Sequence, residues 1–133
     1  MRPSIVVDAS ALTAVVLATA SQTLVSRLRA SVPAAPELID VEVTHAVRRQ
    51  RRLGSIAAAS AERAMRQLLH SPVTRVPHRA LIFRAWQLRD SMTAYDAVYV
   101  ALAEQLAVPL ITCDSRLAGS HGHEADIELY PPG

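Results

Sequence analysis

The chain is 133 residues long, half of them hydrophobic and a fifth charged, which suits a single domain of residues 1–133 burying about two thirds of its unfolded surface and excludes a disordered chain. The formal charge is only +2 and all fourteen basic residues are arginine, so a phosphate-binding P-loop, Schiff-base chemistry and the usual lysine-assisted aspartyl-phosphate enzymes are excluded. A lone cysteine, Cys113, rules out an internal disulfide, and five aromatics leave the core to Ala, Val, Leu and Ile, as where helices cover a small sheet.

In chain order, Ser4 to Asp8 reads as a short buried strand, a β-branched run that follows Pro3 and stops at an acid. Ser10 is placed to cap a helix reaching about Leu17, and a second helix from about Gln22 to Arg29 buries Leu24, Val25 and Leu28. Arg2, the apolar run from Ala11 to Ala20 and the small residues before Ser21 imitate a secretory signal, but Asp8 interrupts the stretch. No window reaches the roughly eighteen apolar residues of a membrane helix, so a soluble, cytoplasmic protein without membrane contact is expected.

Val32 to Ala35 is a brief strand, and Pro36 suits the first turn of a third helix that Gly54 ends, with Val43, Ala46, Val47 and Leu53 facing inward. An alanine-rich fourth helix covers about Ile56 to His70. Val73 to Val76 forms a strand between two prolines, and a helix from about Arg79 to Arg89 buries Leu81, Ile82, Trp86 and Leu88. From Thr93 to Leu106 a helix is apolar on nearly every side, the mark of a buried element. Val108 to Thr112 and Ile127 to Tyr130 complete the strands. This alternation predicts an α/β fold with a parallel sheet and helices on both faces. The four glycines form no Gly-x-Gly-x-x-Gly turn, so a dinucleotide site is not expected.

Four acids stand at the joints between apolar segments: Asp8, Glu42, Asp96 and Asp114. Each has a structural reading. Asp8 can cap the following helix, Glu42 can be an exposed helix residue, Thr93 and Asp96 can form a capping box, and Asp114 can open a turn before Ser115 and Arg116. Together they point elsewhere, because parallel sheets bring strand carboxyl ends and helix starts to one edge, where ligands bind. Carboxylates crowded there repel one another unless a cation neutralises them. An all-oxygen set without clustered Cys or His selects Mg²⁺ or Mn²⁺ over zinc.

The runs Val6-Val7-Asp8-Ala9-Ser10, Glu42 followed by Ala46-Val47-Arg48-Arg49, Tyr95-Asp96-Ala97-Val98-Tyr99 and Leu110-Ile111-Thr112-Cys113-Asp114-Ser115-Arg116 resemble, in order and spacing, the acidic motifs of PIN-domain nucleases. The likeness spans almost the whole chain and is greatest to the VapC-type toxins of bacterial toxin-antitoxin pairs; the tail after Gly119 adds nothing to it. It implies a three-layer α/β/α sandwich with a five-stranded parallel sheet, and a metal-dependent ribonuclease acting on RNA that slows translation. It also implies a cognate antitoxin and a homodimer, for which the helices around Leu24 to Leu28 and Leu81 to Leu88 offer surfaces. Asp8, Glu42 and Asp96 are then the metal-binding and catalytic carboxylates, with Asp114 completing the site directly or through water, and Ser10 and Thr112 orient them.

Around that set, Arg116 is placed to touch the scissile phosphate, while Arg48 and Arg49, with Arg51 and Arg52, either grip the RNA backbone or simply solvate a helix end. His121 and His123 resemble a zinc pair, but Gly119 and Gly122 mark a loop, and no zinc is expected there. Two other functions fit the chain less well. A silent binding module has no need of all four acids, and a small-substrate phosphohydrolase lacks both the Asp-x-Asp motif at Asp8 and any lysine.

Overall fold

The computed structural model describes residues 1–132. Among them five strands form one parallel sheet in the order β3-β2-β1-β4-β5, with β1 at Ile5–Val7, β2 at Pro33–Pro36, β3 at Thr74–Val76, β4 at Leu110–Thr112 and β5 at Ile127–Leu129. The central strands β1 and β4 are buried at every position, so their sequences are continuous apolar runs rather than alternating ones.

Helices α1 (Ala9–Val16), α2 (Gln22–Arg29), α3 (Ile39–Arg52) and α4 (Ala58–His70) lie in the connections that step outward from β1 to β2 and β3. After β3 the chain runs through a 3₁₀ turn at Arg79–Leu81, α5 (Ile82–Gln87) and α6 (Ala94–Leu106), then crosses back to β4. Right-handed crossovers of opposite direction put α5 and α6 on the face opposite α1. Helix α1 packs on α3 and α4, whereas α6 lies over β1, β2 and β4 with α5 against it. The result is the three-layer sandwich expected from the sequence.

Four details differ from the sequence reading. Pro36 belongs to β2, where its missing N–H costs nothing because Glu37 donates the next bond to Val76, and α3 begins three residues later at Ile39. Leu53 is 70 % exposed beyond the end of α3, because the chain turns away through the left-handed Gly54. On α5, Leu81 and Leu88 are buried as expected, but Ile82 and Trp86 are exposed, since the helix has only two turns and one face. Finally, the segment after Asp114 is a short helix, α7 (Ser115–Ala118), rather than a turn.

Connections leave β1 toward one side of the sheet and β4 toward the other, so the crevice between their carboxyl ends is the topological switch point where open parallel sheets bind ligands. Asp8 follows β1 and Asp114 follows β4. The pairing of Val7 with Ile111 continues through the Asp8 amide, which donates to the Ile111 carbonyl at 3.1 Å, and sets Asp8 level with Thr112.

Candidate active site

Asp8 is 5 % exposed and Thr112 fully buried; they are the only buried polar or charged side chains among the described residues. Burying a carboxylate is costly unless its lone pairs are met, and here they are. One oxygen of Asp8 accepts from the Ser10 hydroxyl at 2.7 Å and from the Ala11 amide at 3.0 Å, and the other accepts from the Thr112 hydroxyl. The two hydroxyls are themselves oriented by backbone donors, Ser10 Oγ accepting from the Cys113 amide and Thr112 Oγ1 from the Asp114 amide, each at 2.9 Å. Each therefore has its proton free for Asp8. Burial still pushes the Asp8 carboxyl up from its ordinary value; the Thr112, Ser10 and Ala11 donors pull it down, and Asp96 adds repulsion.

The structural reading of Asp8 holds, since its carboxylate is the N-cap of α1. Ser10 consequently does not cap that helix as the sequence suggested; it sits in the first turn and steadies the cap. Thr112 is both a strand residue and the second anchor of Asp8.

Glu42 occupies the first turn of α3 and is half-buried, not exposed. Its Oε1 accepts from the Tyr99 hydroxyl at 2.6 Å across the sheet edge, and this bond joins α3 to α6. Burial raises the Glu42 pKa, the Tyr99 bond opposes the rise, and the negative charges of Asp96 and Asp8 add to it. Asp96 stands in the first turn of α6, where the Thr93 hydroxyl accepts from its amide at 3.2 Å, half of the capping box expected from the sequence. Burial and Asp114 push its carboxyl up, and Arg116 opposes them. Three carboxyls from three different elements thus feel one another.

Asp114 caps α7 by accepting from the Arg116 amide at 2.9 Å. The Arg116 guanidinium then bridges Asp96 and Asp114, 3.2 Å from each, and is itself 69 % exposed. Arg48 and Arg49 are exposed on the same helix as Glu42 but about 9 Å or more farther along its axis at 1.5 Å per residue. His123 is engaged by the Ser120 hydroxyl and the Ala125 amide, at 2.9 and 3.1 Å. The Cys113 thiol is pushed up by burial and by Asp8, which makes it a poor nucleophile.

The role of Tyr99 was not read from the sequence, although a signal was there. Tyr99 lies three residues after Asp96, on the same side of α6, and a fully buried tyrosine needs a partner for its hydroxyl.

The donor set is all oxygen and gathers negative charge that only one exposed guanidinium offsets, which is the chemistry of a hard divalent cation site. Among the described residues no three His, Cys, Asp or Glu side chains are arranged ready around one point. The reason is visible in the contacts: Asp8 is held by hydroxyls, Glu42 by Tyr99, and Asp96 and Asp114 by Arg116. The residue types fit Mg²⁺ or Mn²⁺; ligation requires Arg116 to release Asp96 and Asp114, while Glu42 can offer its second oxygen with the Tyr99 bond to Oε1 kept.

The PIN domain profile matches residues 5–119, a span that includes all four acids. The chain belongs to the PIN-domain family. Its relatives include Ribonuclease VapC12 of Mycobacterium tuberculosis, 46 % identical over 94 % of this chain and 98 % of that protein. Ribonuclease VapC1 of the same species is 42 % identical over 93 % and 96 % of the two chains. Among solved structures, PAE2754 of Pyrobaculum aerophilum superposes with a TM-score of 0.69 at 27 % identity, covering 89 % of this PIN domain and 86 % of that chain. VapC20 of M. tuberculosis, described as a sarcin-ricin loop cleaving toxin, shares the fold with a TM-score of 0.62 at 21 % identity over 91 % and 100 % of the chains. The relatives thus place this PIN domain among nucleases of the VapC type, and none of the helices described is long and apolar enough to cross a membrane.

Proposed function

We propose that this chain is a one-domain, Mg²⁺- or Mn²⁺-dependent ribonuclease that hydrolyses RNA phosphodiesters and acts in the cytoplasm as the toxin of a toxin-antitoxin pair, slowing translation. The observation that carries the reading is the convergence of Asp8, Glu42 and Asp96 at the switch point with all three carboxyls raised by burial and mutual repulsion. Relatives named as VapC ribonucleases at up to 46 % identity support the toxin assignment.

In this reading Asp8, Glu42 and Asp96 hold the cation, and Asp114 completes the set directly or through water. When bound, the ion supplies an activated water and neutralises charge building on the phosphoryl oxygens. Everything else falls to the chain. Ser10 and Thr112 fix Asp8 by hydrogen bonds, so that its oxygens do not rotate away. Tyr99 fixes Glu42 in the same manner. Asp96 or Asp114 accepts a proton from the attacking water. Arg116, released from Asp96 and Asp114, is placed to meet the incoming phosphate through its planar fork. Arg48 and Arg49 contribute at most to the more distant RNA backbone.

The partners of this reading are an RNA substrate, an antitoxin protein that covers the acidic crevice and a second copy of the chain. The deciding experiment incubates purified protein with total RNA in Mn²⁺, in Mg²⁺ or in chelator, beside an Asp8→Asn variant. Metal-dependent cleavage that the variant loses supports the assignment, and cleavage by the variant at the wild-type rate would falsify the role given to Asp8.

A further inference from the structure

Among the described residues four arginines pair with acids 20 or more positions away in the sequence: Arg27 with Glu128, Arg75 with Asp40, Arg84 with Glu104 and Arg116 with Asp96. Three of these pairs are held by geometry as well as by charge. Arg27 and Arg84 each set Nε and Nη2 against the two oxygens of one carboxylate at 2.8 to 3.0 Å. Arg75 adds to its Asp40 bonds the carbonyls of Leu68, Ser71 and Val73. Two-pronged and many-bonded guanidiniums of this kind are fixed in place.

Arg116 is held differently. One nitrogen, Nη2, makes both of its carboxylate contacts, to Asp96 Oδ2 and Asp114 Oδ2, each at 3.2 Å, and Nε and Nη1 donate to no acceptor among the described residues. Its side chain is 69 % exposed, against 30, 23 and 36 % for Arg27, Arg75 and Arg84. Exposed pairs made through a single nitrogen contribute little to stability. Nor does α7 depend on them, since buried Leu117 anchors that helix in the core and Asp114 Oδ1 caps it by accepting from the Arg116 amide. The Arg116 backbone is thus fixed while its side chain is held only at the tip. What the tip does is balance charge, because Asp96 also repels Asp8 and Glu42.

We propose that Arg116 is an exchangeable counter-ion: it holds Asp96 and Asp114 in the metal-free protein, gives them up to the divalent cation, and once free takes a phosphate of the RNA, so that cation and phosphate each tighten the binding of the other. The inference rests on the ribonuclease reading and adds a regulatory device to its site. Linkage makes the effect reciprocal, because both ligands draw on the same two contacts, one by breaking them and the other by using the guanidinium they release. The acids stay partly neutralised while no cation is present, and they bind it best where a phosphate is already at hand.

The test strips the full-length protein of metal and titrates it with Mn²⁺ by calorimetry at pH 7 and low salt, beside Arg116→Ala and Arg116→Lys. Two exposed ion pairs lost together correspond to about 3- to 30-fold in a binding constant, so Arg116→Ala should bind Mn²⁺ that much more tightly than wild type, with Arg116→Lys between the two. Replacing chloride by dimethyl phosphate at equal ionic strength should tighten Mn²⁺ binding more in wild type than in Arg116→Ala, where only direct contact between phosphate and ion remains. A merely structural Arg116 predicts the opposite sign, since a loosened α7 would lower Mn²⁺ affinity and Tm together. Mn²⁺ affinity in Arg116→Ala equal to or weaker than that of wild type overturns the exchange, and so does a dimethyl phosphate effect of the same size in both. Wild-type cleavage of total RNA in Mn²⁺ is measured alongside. Cleavage with unchanged Mn²⁺ affinity in the variant sinks the exchange and spares the ribonuclease reading, whereas a tighter variant with RNA left intact by wild type does the reverse.

Discussion

Tyr99→Phe removes one oxygen from a side chain 1 % exposed and leaves the ring packing in place, so its effect isolates the hydrogen bond to Glu42. A bond to a charged acceptor contributes about 1.5–3 kcal/mol, and because half-buried Glu42 can recruit water in its place, a loss of about 1–2 kcal/mol is expected. For a chain of this length that lowers Tm by about 3–10 °C. The pH dependence gives the sharper test. Glu42 has a folded pKa above its ordinary 4.5, so its effect on stability is most favourable below that value and is lost as pH rises through the folded pKa. Losing the Tyr99 donor raises the folded pKa further, and the variant should therefore suffer more at pH 7 than at pH 4. Thermal unfolding of both proteins in chelator, at the two pH values, measures this. An equal loss at both would mean that Tyr99 matters only for packing, and no loss at pH 7 would mean that the bond does not hold Glu42.

Asp8→Asn should cut ribonuclease activity at least about 100-fold, and in chelator at pH 7 it should be no less stable than wild type, since it removes a charge whose burial is unfavourable. Mn²⁺ at about 100 times its Kd should stabilise the wild-type protein by about 2.7 kcal/mol and leave the Asp8→Asn variant unmoved, a contrast that calorimetry would expose. The double variant Arg48→Ala with Arg49→Ala asks whether the far end of α3 touches RNA. If both contact phosphates, the slope of log K against log salt should flatten by about 1.4, and an unchanged slope assigns them to solvent. Ala107 ends α6 in the left-handed region at φ 56°, so Ala107→Val should cost at least about 1 kcal/mol in urea unfolding, while Ala107→Gly should be neutral or better.

Periodicity and punctuation in the sequence marked the two faces and the edge of the fold. The apolar runs at Ile5–Val7 and Leu110–Thr112 mark central strands because parallel strands are covered on both faces. The helix from Ala94 to Leu106 is apolar all round because it lies over the sheet beneath another helix. The same alternation, read with the placement of Asp8, Asp96 and Asp114 at strand ends and a helix start, located the crevice. Apolar character alone does not send a side chain inward: Leu53, Ile82 and Trp86 stay exposed, because a helix end and a two-turn helix have too little inner surface to take them.

What the chain alone determined was therefore the identity of the acids and their common edge, since both follow from local pattern and the geometry of parallel sheets. What only the tertiary structure decided was how those acids are held: Thr112 on Asp8 across 104 residues, Tyr99 on Glu42 across 57, and Arg116 between Asp96 and Asp114. Hydrogen bonds and ion pairs act over a few ångströms in space, and no spacing along a chain reveals which distant side chains the packing of a sheet and two helical layers will bring within that range.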